Sequence, residues 1–130
     1  MAPQFLTLDE VMDIHRDQVE RYGGTLGLRD VALLESALAA PQSGFGDQYL
    51  HGELFEMASA YLFHLVQNHP FLDGKKRVGT TGALMFLELN GVETRIPNQA
   101  LVTMVLAVAQ GKTEKSALAA FFRKHAKLYP

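Results

Sequence analysis

With 130 residues, 48% of them hydrophobic and 20% charged, the chain has the size and balance of one globular domain, and residues 1–130 are read as a single unit. A net charge of −2 gives no general attraction to nucleic acid, so any anion site has to be local. The absence of cysteine excludes disulfides, thiolate zinc centres and a Cys nucleophile. The N-terminus lacks the basic-then-apolar layout of a signal peptide, and the most apolar stretch, Ala100 to Ala109, is too short to span a bilayer. A soluble, cytoplasmic protein with no membrane partner is therefore expected.

In chain order, Thr7 and Glu10 form a capping box for a first helix that carries Leu8, Val11, Met12, His15, Val19 and Tyr22 on one face and stops at Gly23-Gly24. A second helix is predicted from about Asp30 to Ala40, with Val31, Leu34 and Leu38 inward and Pro41 ending it. Residues 41–52 read as an irregular loop or a brief hairpin. The pattern Leu54, Phe55, Ala58, Tyr61, Leu62, Leu65, Val66 describes a core helix over Glu53–Asn68, which breaks at His69-Pro70. A fourth helix runs from about Gly74 to Leu89 and closes on Asn90-Gly91. Asn98 is predicted to cap a fifth that ends at Gly111, and Thr113 a sixth with Leu118, Phe121, Phe122 and His125 inward. No strand is predicted elsewhere, so the fold class is all-α, a bundle of about six helices.

Chemistry is concentrated in His69-Pro70-Phe71-Leu72-Asp73-Gly74-Lys75-Lys76-Arg77. This segment lies between two apolar helices and leads into a helix N-terminus, where free N–H groups and the dipole favour an anion. Gly74 permits close approach to the backbone. Lys75, Lys76 and Arg77 fall in the first helical turn, where each exposed cation opposes the dipole by about 0.3–1 kcal/mol. A polyphosphate would turn that penalty into binding, with Arg77 as a fork and the lysines as point charges. Asp73 offers the lone carboxylate that Mg²⁺ needs beside a phosphate. His69 can serve as a general base near neutral pH. Base, metal ligand and phosphate clamp together read as phosphoryl or nucleotidyl transfer.

The segment resembles the Fic motif, His-Pro-Phe-x-(Asp/Glu)-Gly-Asn-(Gly/Lys)-Arg, at His69, Pro70, Phe71, Asp73, Gly74, Lys76 and Arg77. The whole chain is similar to the short Doc (death-on-curing) branch of the Fic/Doc family. The similarity extends to Arg21-Tyr22-Gly23-Gly24, Gly27-Leu28-Arg29-Asp30, Leu34-Glu35-Ser36-Ala37-Leu38 and Phe86-Leu87-Glu88-Leu89-Asn90-Gly91. The resemblance implies the helical Fic fold, His69 as general base, Asp73 as the Mg²⁺ carboxylate, and Gly74, Lys76 and Arg77 on the phosphates of ATP or another nucleoside triphosphate. It makes residues 41–52 a target-positioning flap. Fic members commonly transfer AMP, whereas the Doc branch is associated with phosphate transfer to a threonine of elongation factor Tu, which blocks translation, and with neutralisation by a Phd-type antitoxin. The chain has no (Ser/Thr)-x-x-x-Glu-(Gly/Asn) inhibitory motif, so restraint is expected in trans.

Two positions depart from the pattern: Lys75 stands where Asn is usual, and Val78 where Doc-like members have Thr. Lys75 either substitutes a charge for a dipole at the phosphate, changes the donor, or weakens catalysis. Taken singly, His69 is a structural histidine, Asp73 a helix cap and Lys75–Arg77 a solvated face; it is their conjunction that points to a site. His15, His51, His64 and His125 are read as core-edge or surface residues. His64 and His69 miss the i,i+4 spacing of a helical zinc pair. A nucleotide- or protein-binding module without turnover and a DNA-binding partner are the readings from other classes, the second disfavoured by the short cationic run and the negative net charge.

Overall fold

A computed structural model describes residues 3–45, 48–49, 52–68, 70–71 and 74–128, and the side chains of all of these except Phe45, Gln48, Tyr49, Lys75 and Leu128. Six α-helices make up the bundle: α1 (Leu8–Tyr22), α2 (Val31–Ala39), α3 (Leu54–Gln67), α4 (Lys75–Leu89), α5 (Asn98–Ala109) and α6 (Lys115–Lys124). The all-α expectation holds. Among the described residues no helix is long and apolar enough to cross a membrane.

Local chemistry explains the first two helix starts. The Glu10 N–H donates to Thr7 Oγ1 at 3.1 Å while the Thr7 N–H donates to Glu10 Oε1 at 2.9 Å, the reciprocal capping box read from the sequence. Asp30 caps α2, accepting from the N–H groups of Ala32 and Leu33 at 2.9 and 3.2 Å. Pro41 lies in a 3₁₀ turn, Ala40–Gln42, that closes α2. Two other caps differ from expectation. Asn98 is the first helical residue of α5, with Pro97 at the cap, and Glu114 rather than Thr113 precedes α6; neither cap residue uses a side-chain bond. Both ends are set by where the apolar face meets the bundle, and a cap is a smaller term than that burial.

Helix α3 is the centre. It is flanked by α2, α4, α5 and α6, and Met57, Ala58, Ser59, Ala60, Tyr61, Leu62, Leu65 and Val66 are all buried. The core continues through Leu34, Phe71, Val78, Phe86, Leu87, Leu118 and Phe122. The inward faces of α1 and α2 are narrower than the periodicity suggested. Leu8, Tyr22 and Val31 are exposed, while Ile14 and Ala37 are buried, because both helices lie at the rim and touch the core with one stripe.

Short strands depart from the sequence reading. β1 (Gly44–Phe45) pairs antiparallel with β2 (Gln48–Tyr49), the hairpin alternative for residues 41–52. β3 (Val92–Thr94) pairs antiparallel with β4 (Ala126–Leu128), with Glu93 opposite Lys127, where no strand was predicted. Three residues per strand, far apart in sequence and without a turn signal between them, leave no periodic trace.

Tyr61 is fully buried on α3, and its hydroxyl oxygen accepts the Leu6 N–H at 2.9 Å, tying the N-terminal segment to the core. Burial pushes its pKa up to about 12, against a smaller lowering by the Leu6 bond. An acid whose pKa is raised by folding stabilises the fold fully below its unfolded value near 10 and loses that contribution as pH rises toward 12. The stability of the native chain relative to Tyr61→Phe should therefore be constant below about pH 10. It should then fall by about 2–3 kcal/mol up to pH 12, as read from denaturant unfolding at each pH.

Candidate active site

The connection from α3 to α4 is short and held from two sides. On one side Leu28 forms an antiparallel bridge with Phe71, and the N–H groups of Arg29 and Asp30 donate to Pro70 O at 2.8 and 3.2 Å. Arg29 Nη2 also donates to Asn68 O at 3.1 Å, and Asn68 Nδ2 donates to Leu33 O at 3.1 Å. The segment before α2 thus forms a strap along residues 68–71. Because Asp30 also caps α2, one dipeptide both starts that helix and grips the loop.

On the other side stands His15 of α1. It is 3% exposed, and its ring stacks on Phe71 with centroids 4.0 Å apart and planes 13° from parallel. The same ring flanks Gly74, where a Cβ would lie 3.6 Å from His15 Cδ2 and 3.7 Å from Nε2. The sequence placed His15 at the core edge or surface; the structure buries it beneath the loop. Phe71 is buried as well.

Helix α4 begins at Lys75 with Gly74 as its N-cap, so the cap is not Asp73. Gly74 has φ +80° and ψ 10°, a left-handed conformation that costs an L-residue about 1–2 kcal/mol. No acidic residue occupies the first turn. The first-turn N–H groups lie outside the helical ladder and face an end of positive dipole, the arrangement that favours an anion.

Of the predicted site residues, His69 and Asp73 lie outside the described residues, as does His51, and of Lys75 only the backbone is described. Lys76 is exposed. Arg77 is half-buried and reaches back to α1: Nη2 donates to Gly23 O at 2.9 Å and Nη1 to Gln18 O at 3.5 Å, with the guanidinium 5.8 Å from the Tyr22 ring centre. A cation misplaced at the start of α4 is thereby well placed at the end of α1, where carbonyls and dipole favour it. Lys76 and Arg77 edge a groove of about 510 Å³ walled by Leu84 of α4 and by Leu101, Val102, Val105 and Leu106 of α5.

The other two described histidines, His64 and His125, lie elsewhere. His64 Nε2 is 3.1 Å from Lys115 Nζ, and His125 packs on Phe121 with ring centres 4.8 Å apart. No group of three or more metal-binding side chains occurs among the described residues. A lone carboxylate suits Mg²⁺ only where phosphate oxygens complete its shell. Sequence reasoning missed His15, Arg29 and Tyr22 as parts of this region. The signal for His15 was available, since it shares one helical face with Val11 and Val19.

Gly74→Ala should lower stability by about 1–2 kcal/mol through backbone conformation alone, because the new methyl meets only ordinary contacts. Urea unfolding measures it, and an unchanged midpoint would show that the loop relaxes to another conformation at no cost.

The Fic/DOC family model matches residues 5–87, which takes in α1, the strap, α3, the loop and most of α4. The chain is 28% identical over 116 residues to "Protein kinase doc" of Escherichia phage P1, an alignment covering 89% of this chain and 90% of that protein. It is 39% identical over 72 residues to "Toxin Doc" of Mycolicibacterium smegmatis, covering 55% of each. A motif loop strapped onto the N-terminus of a core helix, inside a matched span of this length, places the chain in the Fic/Doc family, on its Doc side.

Proposed function

We propose that the chain is a Doc-like toxin that transfers phosphate from a nucleoside triphosphate, ATP in the first instance, to a hydroxyl of another protein. The observation that carries this reading is the cationic, acid-free first turn of α4 behind Gly74, fixed by His15 on one side and by residues 28–30 on the other. Similarity to a protein named a kinase favours phosphate over AMP as the transferred group. A threonine of elongation factor Tu is the proposed acceptor, with arrest of translation in the cytoplasm as the consequence.

In this mechanism Gly74, Lys75, Lys76 and Arg77 hold the triphosphate, and Asp73 would hold Mg²⁺, which would supply charge neutralisation. His69 takes the proton of the acceptor hydroxyl as its oxygen bonds to the γ-phosphorus and the bond to the leaving diphosphate breaks. Little covalent work falls to the protein; positioning and electrostatics supply the rate. Arg77 keeps its hold on the α1 carbonyls through part of its fork and has further N–H groups to offer, since a guanidinium carries five.

Restraint is proposed to come from a Phd-type antitoxin. The groove between α1, α4 and α5 supports this: it is apolar along α5, exposes Val102 and Leu106, and carries Lys76 and Arg77 at one edge. An amphipathic segment with an acidic end suits such a groove.

His69→Ala should abolish transfer, by at least about 10²-fold as befits loss of a general base, while nucleotide affinity and thermal unfolding stay near those of the native chain. Turnover retained in this variant would remove the mechanism.

A further inference from the structure

The carbonyls of the two residues that flank His69 in the chain both accept from a single residue. Arg29 donates its backbone N–H to Pro70 O at 2.8 Å and its Nη2 to Asn68 O at 3.1 Å. Each bond bears on a rigid unit. The peptide group that begins with the Asn68 carbonyl is planar, so a bond to that oxygen holds the group through which the chain enters position 69. Pro70 has a fixed φ, so holding its carbonyl fixes the chain on the far side. Asn68 is further pinned by its own side chain on Leu33 O, and Phe71 by the bridge to Leu28.

The geometry points to Arg29 as a positioning residue for the catalytic base, an inference that rests on the role proposed for His69. The simpler account is that Arg29 is a cation at the C-terminal end of α3, where any positive charge interacts well with the last carbonyls. That account gives Arg29 a share in stability and nothing more. It leaves unused the fact that both bonds come from the same residue, one from the backbone and one from the end of a long side chain, and meet the chain on either side of position 69. The Arg29 side chain is exposed, so replacing it leaves no cavity, and the backbone bond to Pro70 survives any substitution other than Pro. Arg29→Met therefore removes the side-chain bonds alone. Arg29→Lys restores one donor with the right charge.

The experiment compares native chain, Arg29→Met and Arg29→Lys in steady-state transfer from ATP, alongside backbone hydrogen exchange at Asn68. Misplacing a catalytic group by about 1 Å costs up to about 10²-fold. Arg29→Met is expected to lower kcat by about 10-fold or more, with the KM for ATP within about twofold. Arg29→Lys should recover most of kcat, and exchange at Asn68, whose N–H donates to His64 O, should quicken in Arg29→Met while that of α6 stays unchanged. Native kcat in Arg29→Met would overturn the inference. So would a loss that Lys does not repair better than Met, or one in which kcat and affinity fall together. Should the native chain transfer nothing, the proposed function fails separately. Exchange then decides, and an equal rate at Asn68 in native and Arg29→Met chains would overturn the positioning role by itself.

Discussion

At Gly79, α3 and α4 approach so closely that a single methyl on α4 would lie 3.2 Å from both Leu62 Cδ1 and Val66 Cγ2 and 3.3 Å from Leu62 O. The leucine and valine tips have some freedom, but the carbonyl belongs to the α3 backbone, so the two axes are locked at that point. Everything at the site follows from this lock. One helical turn before Gly79 lies the start of α4, and the neighbouring turn of α3 ends at Asn68. The chain between them has seven residues, 68–74, in which to reverse, so the positive end of α4 is fixed beside the strap formed by residues 28–30. The packing that supplies the core also aims the first-turn N–H groups.

Charge placement around that turn is partly explained by stability and partly not. Arg77 is favourable where it stands because the last carbonyls of α1 receive it, and Tyr22 covers its face. Lys76 has an exposed side chain and opposes the dipole. A fold selected for stability alone has no use for a lysine there, and an acidic residue would serve better. The proposed polyphosphate would resolve the conflict. His15 lies beneath this turn, buried on the stripe of α1 that also carries Val11 and Val19. The departure at Lys76 lies within one turn of Gly74, which is where function is expected to override stability.

How much of this was legible in the sequence follows from the range of each interaction. The Thr7–Glu10 box, the Asp30 cap, the six helices and the position of the loop rest on contacts within four residues or on a 3.6-residue period, and these the sequence displays. The motif itself announced His69, Asp73 and Gly74–Arg77 together, and the family followed from it. Pairing of Val92–Thr94 with Ala126–Leu128 depends on two helices bringing remote segments together, and nothing local encodes it. The bond from Arg77 to Gly23 and the strap on Pro70 join residues more than 30 positions apart, so Arg29 was visible only as part of a stretch that resembles Doc proteins. Leu8, Tyr22 and Val31 were misread for a related reason: periodicity shows which face is apolar, but only the neighbouring helices decide how wide a stripe is covered.

Whether this loop moves phosphate onto a protein hydroxyl is decided by intact-mass spectrometry. Purified elongation factor Tu, and separately the proteins of a cell extract, would be incubated with the chain, Mg²⁺ and ATP. The account expects an added mass of about 80 Da on a protein, the increment of one phosphoryl group. An added mass of about 329 Da would show AMP transfer and reassign the donor geometry. An unchanged mass for every protein, with ATP still bound to the chain, would contradict the account and leave a nucleotide-binding module in its place.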